Sequence, residues 1–216
     1  MKGGNTRFAR RKAIIHLGIV AFTLLTVLGA AHAQSYGPPI YSVGDTWAFS
    51  NGREVKVVQV DENGIEAVGA GACWTCRYRL DRNLTVLEVL TADGKPFDPN
   101  QVRGLTPVGP GWKFFDFPLE LKKGWRFSAK GYYKGVYGSY YDYTVDSAVS
   151  AYEDVKTKAG TFKAYRIDRV VEFYSGAYRG QGNSTTWFAP DTRTTVKYTS
   201  TFTTDRDWEL VSYSLK

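Results

Sequence analysis

The segment TWAFSNGREVKVVQV, residues 46–60, decides the fold class. Its centre is Asn51-Gly52, which lies between two strand-like runs. An Asn-Gly pair readily adopts the positive φ angles of a tight hairpin turn, so this pattern is the strongest short-range signal for a β-hairpin. The segment therefore predicts two antiparallel strands, Thr46–Ser50 and Glu54–Val60.

Similar signals continue along the chain, where Tyr, Phe, Trp, Val and Thr dominate. No stretch of about twelve residues sustains the apolar spacing of a helix. Ala92–Gly111, rich in Gly and Pro, predicts a long connecting loop. Further strands are predicted at Ile65–Gly69, Arg77–Leu80, Thr85–Leu90, Trp125–Tyr133, Ser139–Val149, Asp154–Lys158, Phe162–Tyr174, Thr185–Phe188, Thr194–Thr203 and Glu209–Ser214. The predicted fold is all-β and mainly antiparallel, a strongly curved sheet or partly open barrel with little helix outside the signal segment.

The first 33 residues have the features of an export signal. Five basic residues precede an almost entirely apolar run, Ala13–Ala31, and Ala31-His32-Ala33 has the small-x-small form of a signal-peptidase site. The sequence therefore predicts a signal peptide at 1–33, cleavage before Gln34, and a single β-rich domain at 34–216 that is periplasmic or secreted and soluble after cleavage. An uncleaved membrane anchor is the alternative, because the apolar run approaches membrane-spanning length. The oligomeric state stays open.

Removing this leader changes the charge and the chemistry of the chain. All charged residues of the leader are basic, so the net charge falls from +7 to +2 and indicates no nucleic-acid partner. The two histidines, His16 and His32, also lie in the leader. Without an imidazole, Ser-His-Asp and Cys-His nucleophile systems and His-ligated zinc are excluded. We therefore predict no catalytic residue, metal or cofactor, and a non-enzymatic function, with chemistry by carboxylates or cysteines left open.

Cys73-Trp74-Thr75-Cys76 is the most distinctive local motif. In an oxidising compartment the two thiols are expected to form a short structural disulfide. The same C-x-x-C spacing occurs in redox-active dithiols, so the alternative function is a periplasmic thiol-redox protein that uses Cys73 and Cys76.

Aromatic residues supply the candidate ligand-binding residues. Six tyrosines crowd the Gly-containing region 131–143, and with tryptophans from elsewhere they suggest a platform for sugars, peptidoglycan or acyl chains. Cross-strand packing of aromatic rings is the other explanation of such density. The candidates are Trp112, Trp125, Tyr133, Tyr137, Tyr141 and Trp187.

Two pairs of carboxylates, Asp116 with Glu120 and Asp168 with Glu172, have a spacing of four residues. On a strand this spacing places both side chains on one face, yet too far apart to share a single site. The sequence therefore assigns them no acid–base role.

Several short motifs, in order, resemble an uncharacterised family of secreted bacterial β-domains. They are Gly44-Asp45-Thr46-Trp47, Phe117-Pro118-Leu119 with Gly124-Trp125, Ala159-Gly160-Thr161-Phe162-Lys163-Ala164, Trp187-Phe188-Ala189-Pro190 with Val196-Lys197-Tyr198, and Glu209-Leu210-Val211-Ser212-Tyr213. The family is distantly similar to the half-barrel periplasmic carriers of lipoproteins. The resemblance implies a cell-envelope protein whose concave sheet holds a lipid or other amphipathic ligand, or else contacts an envelope protein. It also implies structural roles for the motif residues.

Overall fold

The computed structural model describes residues 35–69, 75–99, 104–134, 139–202 and 207–216. These residues form thirteen strands and include the short 3-10 turn Pro190–Thr192, with no α-helix among them. The described residues therefore include no helix that is long and apolar enough to cross a membrane. The strands are β1 (Thr46–Phe49), β2 (Glu54–Asp61), β3 (Gly64–Val68), β4 (Arg77–Leu80), β5 (Thr85–Leu90), β6 (Gly104–Val108), β7 (Trp112–Lys113), β8 (Gly124–Lys134), β9 (Ser139–Thr157), β10 (Gly160–Ser175), β11 (Tyr178–Ala189), β12 (Thr194–Ser200) and β13 (Trp208–Ser214).

All thirteen strands belong to one antiparallel sheet in the order β6-β8-β9-β10-β11-β12-β13-β1-β2-β3-β4-β5-β7. The sheet curves until its two ends meet at a seam. There the Trp112 indole N–H of β7 donates to the Lys130 carbonyl of β8 at 2.8 Å, and the Trp125 indole N–H of β8 donates to the Lys113 carbonyl of β7 at 3.1 Å. The structure thus confirms the prediction of an all-β, strongly curved and nearly closed sheet.

The hairpin that decided the fold class is confirmed. β1 pairs with β2 across the turn, where Gly52 has a φ of 85°, in the left-handed region that favours glycine. The amide of Gly52 donates to the Phe49 carbonyl at 3.0 Å and closes the turn.

Several strands differ from the prediction, and β6 and β7 lie where none was predicted. β6 lies within the loop predicted for 92–111 and includes Pro107, which is tolerated because β6 is an edge strand. β11 begins at Tyr178 rather than Thr185, because Gly180 and Gly182 weaken the strand signal without breaking the pairing with β10. The two strands predicted at 139–149 and 154–158 form one strand, β9, because its pairing with β10 continues past a bulge at Arg166/Ile167.

The chain itself fills the middle of the inner face. Phe115, Phe117 and Leu119, from the segment between β7 and β8, are buried against Phe188 and Ile167. Tyr36 crosses the same region, and its backbone forms two hydrogen bonds with Leu119, of 3.0 and 2.8 Å. The centre of the sheet is therefore a packed core rather than a hollow.

Candidate functional site

The motifs that resemble the secreted family bring the start and the end of the domain together. Asp45 is fully buried, and its carboxylate accepts hydrogen bonds from the amides of Ser42 and Lys216 at 2.9 and 2.7 Å. The Arg193 guanidinium also donates to this carboxylate, at 3.1 Å. Close by, the Trp47 indole N–H donates to the Thr192 carbonyl at 2.7 Å. These contacts give the motif residues a structural role.

Half of the cysteine motif lies in the described part of the chain. Cys76 is buried beside Tyr78, Val86 and Trp112, just before β4. Cys73 lies outside the described residues, so the disulfide between Cys73 and Cys76 stays a prediction, and so does the redox alternative.

The aromatic residues singled out from the sequence do not gather at one place. Trp112 and Trp125 lie together at the seam, and Tyr133 is half-buried near the end of β8. Trp187 is contacted by the cations of Arg166 and Lys197, and its indole N–H donates to the Glu153 carboxylate at 2.7 Å. Tyr137 lies outside the described residues.

Tyr141 belongs to a continuous group of rings that we call the aromatic patch, formed by Tyr141, Tyr143, Phe173, Tyr178 and Phe202. Phe173 lies at its centre, with ring centroids 5.8 Å from Tyr143, 6.0 Å from Tyr141 and Tyr178, and 5.8 Å from Phe202. The patch extends outward from the core, because Tyr143 is only 7% exposed and packs on Trp112, whereas Tyr178 is 59% exposed.

Two glycines of β11 form the floor of the aromatic patch. A Cβ atom placed on Gly180 would lie 2.3 Å from the ring of Phe173, and one on Gly182 would lie 2.5 Å from the ring of Phe202. Real side chains do not approach this closely, so each ring occupies the space that a side chain on the glycine would need. The glycines that weaken the strand signal are therefore required by the patch.

A polar row lies next to the aromatic patch on the same inner face. Ser147 of β9, Arg169 of β10 and Ser184 of β11 are direct partners across the sheet, and all three are buried. The Arg169 guanidinium donates to the Thr186 hydroxyl and, at 2.7 Å, to the Phe114 carbonyl, and it lies 5.8 Å from the ring centroid of Phe115. Burial lowers the pKa of Arg169 to about 10, which leaves it protonated at neutral pH.

Neither the polar row nor the centre of the aromatic patch was identified from the sequence. A signal for Arg169 does exist: Ile167, Arg169 and Val171 alternate with more exposed residues, which places a charged residue on the buried face. The sequence signal for Phe173 and Phe202 is a pair of glycines two residues apart in β11, Gly180 and Gly182. This signal cannot be interpreted without the structure, because the pairing of β10 with β11 is what brings Phe173 opposite Gly180.

No protein-family model matches the sequence, and no curated protein matches it either. Three solved structures are similar in fold. One is a protein described as exported, with a YmcC-like fold, from Bacteroides fragilis; it is 15% identical, with a TM-score of 0.49 over 84% of this chain and 100% of that chain. A protein described as a lipoprotein from Parabacteroides distasonis is 12% identical, with a TM-score of 0.47 over the same shares.

The third is the hypothetical lipoprotein YmcC from Escherichia coli, which is 8% identical, with a TM-score of 0.43 over 78% of this chain and 83% of that chain. All three are described as exported proteins or lipoproteins. These identities and TM-scores describe a distant likeness in chain path and assign no function.

Of the carboxylates considered from the sequence, Asp116 and Asp168 are held in ion pairs, whereas Glu120 accepts a hydrogen bond from the Ser35 hydroxyl at 2.8 Å. Burial alone would raise the pKa of Asp116, but its contacts with Lys113 and Lys123 lower it. Burial likewise opposes the lowering of the Asp168 pKa by hydrogen bonds from Ser150, Thr185 and Arg166. Within the described ranges, no three His, Cys, Asp or Glu side chains are placed to hold a metal ion.

Proposed function

We propose that this chain is an exported β-domain of the cell envelope that catalyses no reaction and binds an amphipathic ligand through the aromatic patch. The leader at 1–33 supports export, since its basic start, apolar run and Ala-x-Ala site are those of a signal peptide. The absence of histidine after residue 33 supports a binding role rather than acid–base catalysis.

The observation that carries the proposal is the graded exposure of the aromatic patch. Its rings pass without interruption from the buried Tyr143 to the exposed Tyr178. Tyr rings combine an apolar face with a polar edge and therefore suit ligands that are apolar in one part and polar in another. A contiguous apolar surface that reaches solvent is typical of a binding site rather than of ordinary core packing.

The filled centre of the sheet supports a proposed position for such a ligand. Because Phe115, Phe117 and Leu119 occupy the middle of the inner face, the ligand binds at the β9–β11 end. It packs against the Phe173 and Phe202 rings, which the glycine backbone of β11 supports from beneath. The site thus holds part of a ligand and leaves the remainder in solvent.

The test is a calorimetric titration of the exported protein with decanol and its shorter homologues. Each buried methylene contributes about 0.8 kcal/mol, so we expect affinity to fall about fourfold for each carbon removed. Phe173→Ala removes the central ring and should weaken decanol binding by about tenfold or more.

Tyr213→Ala is the matched control, because Tyr213 is a partly exposed ring on β13 that contacts Phe162 rather than the aromatic patch. It should leave decanol binding unchanged. Failure of decanol to bind, or equal loss in both variants, contradicts the proposal.

A further inference from the structure

We infer that the bound amphiphile carries an anionic head group, a carboxylate or a phosphate, and that Arg169 binds this group inside the sheet with Ser147 beside it. The inference rests on the proposed function and specifies the chemistry of its ligand.

Arg169 is only 7% exposed and is incompletely paired. Its Nη1 donates to the Thr186 hydroxyl and its Nη2 to the Phe114 carbonyl, while its Nε has no hydrogen-bond partner. A guanidinium has five N–H donors, so these two bonds leave the Nε–H and one hydrogen on each terminal nitrogen to be matched. This fork of donors has the geometry of a carboxylate or a phosphate.

The hydroxyl of Ser147 is a second, independent observation that points to an anion site. Ser147 is 5% exposed, faces Arg169 directly across the β9–β10 ladder, and its Oγ has no hydrogen-bond partner. Buried polar groups are nearly always hydrogen-bonded, and these two atoms without a partner belong to residues that pair directly across the ladder. A single anion between them would satisfy both.

The charge of Arg169 is also unbalanced. None of the acidic side chains in the described ranges forms an ion pair with it. The neighbouring Asp168 carboxylate attracts the Arg169 cation, but it forms no ion pair with it, is only partly buried and accepts hydrogen bonds from Arg166 and, at 2.7 Å, from Thr185. A buried charge without a counter-ion is strongly unfavourable, and a bound anion would remove that penalty.

The position of Arg169 relative to the aromatic patch fits one elongated ligand. Arg169 and Phe173 lie on the same face of β10, four residues and therefore about 13 Å apart. Val171 lies between them on that face. Because Phe173 and Phe202 cover glycines, a shift of these rings opens the inner face of β11 toward Ser184. The acyl part of the ligand would then lie along the patch and its acidic group at Arg169.

The experiment compares decanoate, decyl phosphate and decanol, which share one chain and differ in the head group, by calorimetric titration of the exported protein. We expect at least one of the two anions to bind about tenfold or more tightly than decanol, the gain typical of hydrogen bonds to a charged group. The tighter of the two identifies a carboxylate or a phosphate as the preferred head group.

Two variants and one control test whether Arg169 and Ser147 cause the preference for an anionic head group. Arg169→Met should abolish this preference, so that decanoate and decyl phosphate bind no more tightly than decanol. Arg166→Met is the matched control on the same strand and should keep the preference. Ser147→Ala removes a hydroxyl that has no hydrogen-bond partner in the free protein, so it should weaken anion binding about threefold without loss of stability. If Arg169→Met does not fold, the effect of Ser147→Ala on anion binding tests the anion site.

The outcomes separate this inference from the proposed function. Equal binding of decanol and both anions, unchanged by Arg169→Met, overturns the anion site and leaves the amphipathic function standing. If no decyl compound binds but inorganic phosphate raises the melting temperature in an Arg169-dependent manner, the anion site stands and the amphipathic function fails. No binding by any of the four compounds overturns both.

Discussion

Asp45 and Arg169 are both charged and buried, yet their surroundings give them different roles. The carboxylate of Asp45 has three hydrogen-bond donors, which include the Arg193 cation. The guanidinium of Arg169 has two neutral acceptors and an unmatched Nε. A complete set of partners indicates a structural residue, whereas an incomplete set indicates a place for a ligand.

Replacing Asp45 with Ala should destabilise the fold severely. The change leaves the Arg193 cation and two backbone amides without their acceptor, and breaking such a buried pair costs about 3–5 kcal/mol. Urea unfolding of the two proteins measures the difference in the free energy of unfolding. Asp191→Ala is the control, because Asp191 is an exposed acid on the adjoining 3-10 turn; its effect should stay below about 0.5 kcal/mol. Equal effects of the two changes would show that the Asp45 contacts contribute nothing.

The strands differ in how well the sequence predicts them, and the reason is local. β1 and β2 are predicted almost to the residue because Asn51-Gly52 encodes their turn. β6 and the first half of β11 are missed because Pro107, Gly180 and Gly182 are residues that strands usually avoid. Their presence is explained only by tertiary context: an edge position for Pro107, and aromatic rings over the glycines.

The segment between β7 and β8 acts as a structural element although it is not itself a strand. Leu119 is fully buried within it, and Leu119→Ala should lower the free energy of unfolding by about 2–5 kcal/mol. Leu121→Ala, two residues further on, is the control: Leu121 is 40% exposed, so its loss should cost about 0.5 kcal/mol or less. Chemical denaturation distinguishes the two. Similar, small losses would mean that the segment does not complete the core.

At the scale of the whole molecule, the fold class was predictable and the candidate site only partly so. Alternation and turn signals are local, and they predicted an all-β, curved sheet. The aromatic patch unites β9, β10, β11 and the residues after β12, so its members are brought together by pairing that no local pattern reveals. Tyr141 was among the predicted binding residues and lies in the patch, whereas Trp187 contacts a different set of side chains.

Below about pH 8, the stability of the whole domain should depend on pH only in acid. The pKa of Asp146 is lowered below 3.8 by hydrogen bonds from Arg126, and those of Asp116 and Asp168 are lowered although burial opposes it. A carboxylate with a lowered pKa in the folded state stabilises the fold above its unfolded pKa. This stabilisation is lost as the pH falls below about 4 and passes through the folded value.

Residues 35–216 contain no histidine, so no imidazole titrates between about pH 5.5 and 8. Denaturant unfolding across the pH range should therefore give a plateau from about pH 5.5 to 8 and a fall in acid. Asp116→Asn should be less stable on the plateau and lose less stability below it. A marked change in stability between about pH 6 and 8 would contradict this interpretation.

The central claim is that the exported domain holds an acidic amphiphile at the β9–β11 end of its sheet. Native mass spectrometry of the protein purified from the envelope of its own host, without detergent and with no ligand added, tests it most directly. We predict a species heavier than the processed chain by the mass of one acidic amphiphile, which disappears on denaturation and is missing from Arg169→Met but present in Arg166→Met. A native spectrum that shows only the bare processed chain, identical in all three proteins, would contradict the claim.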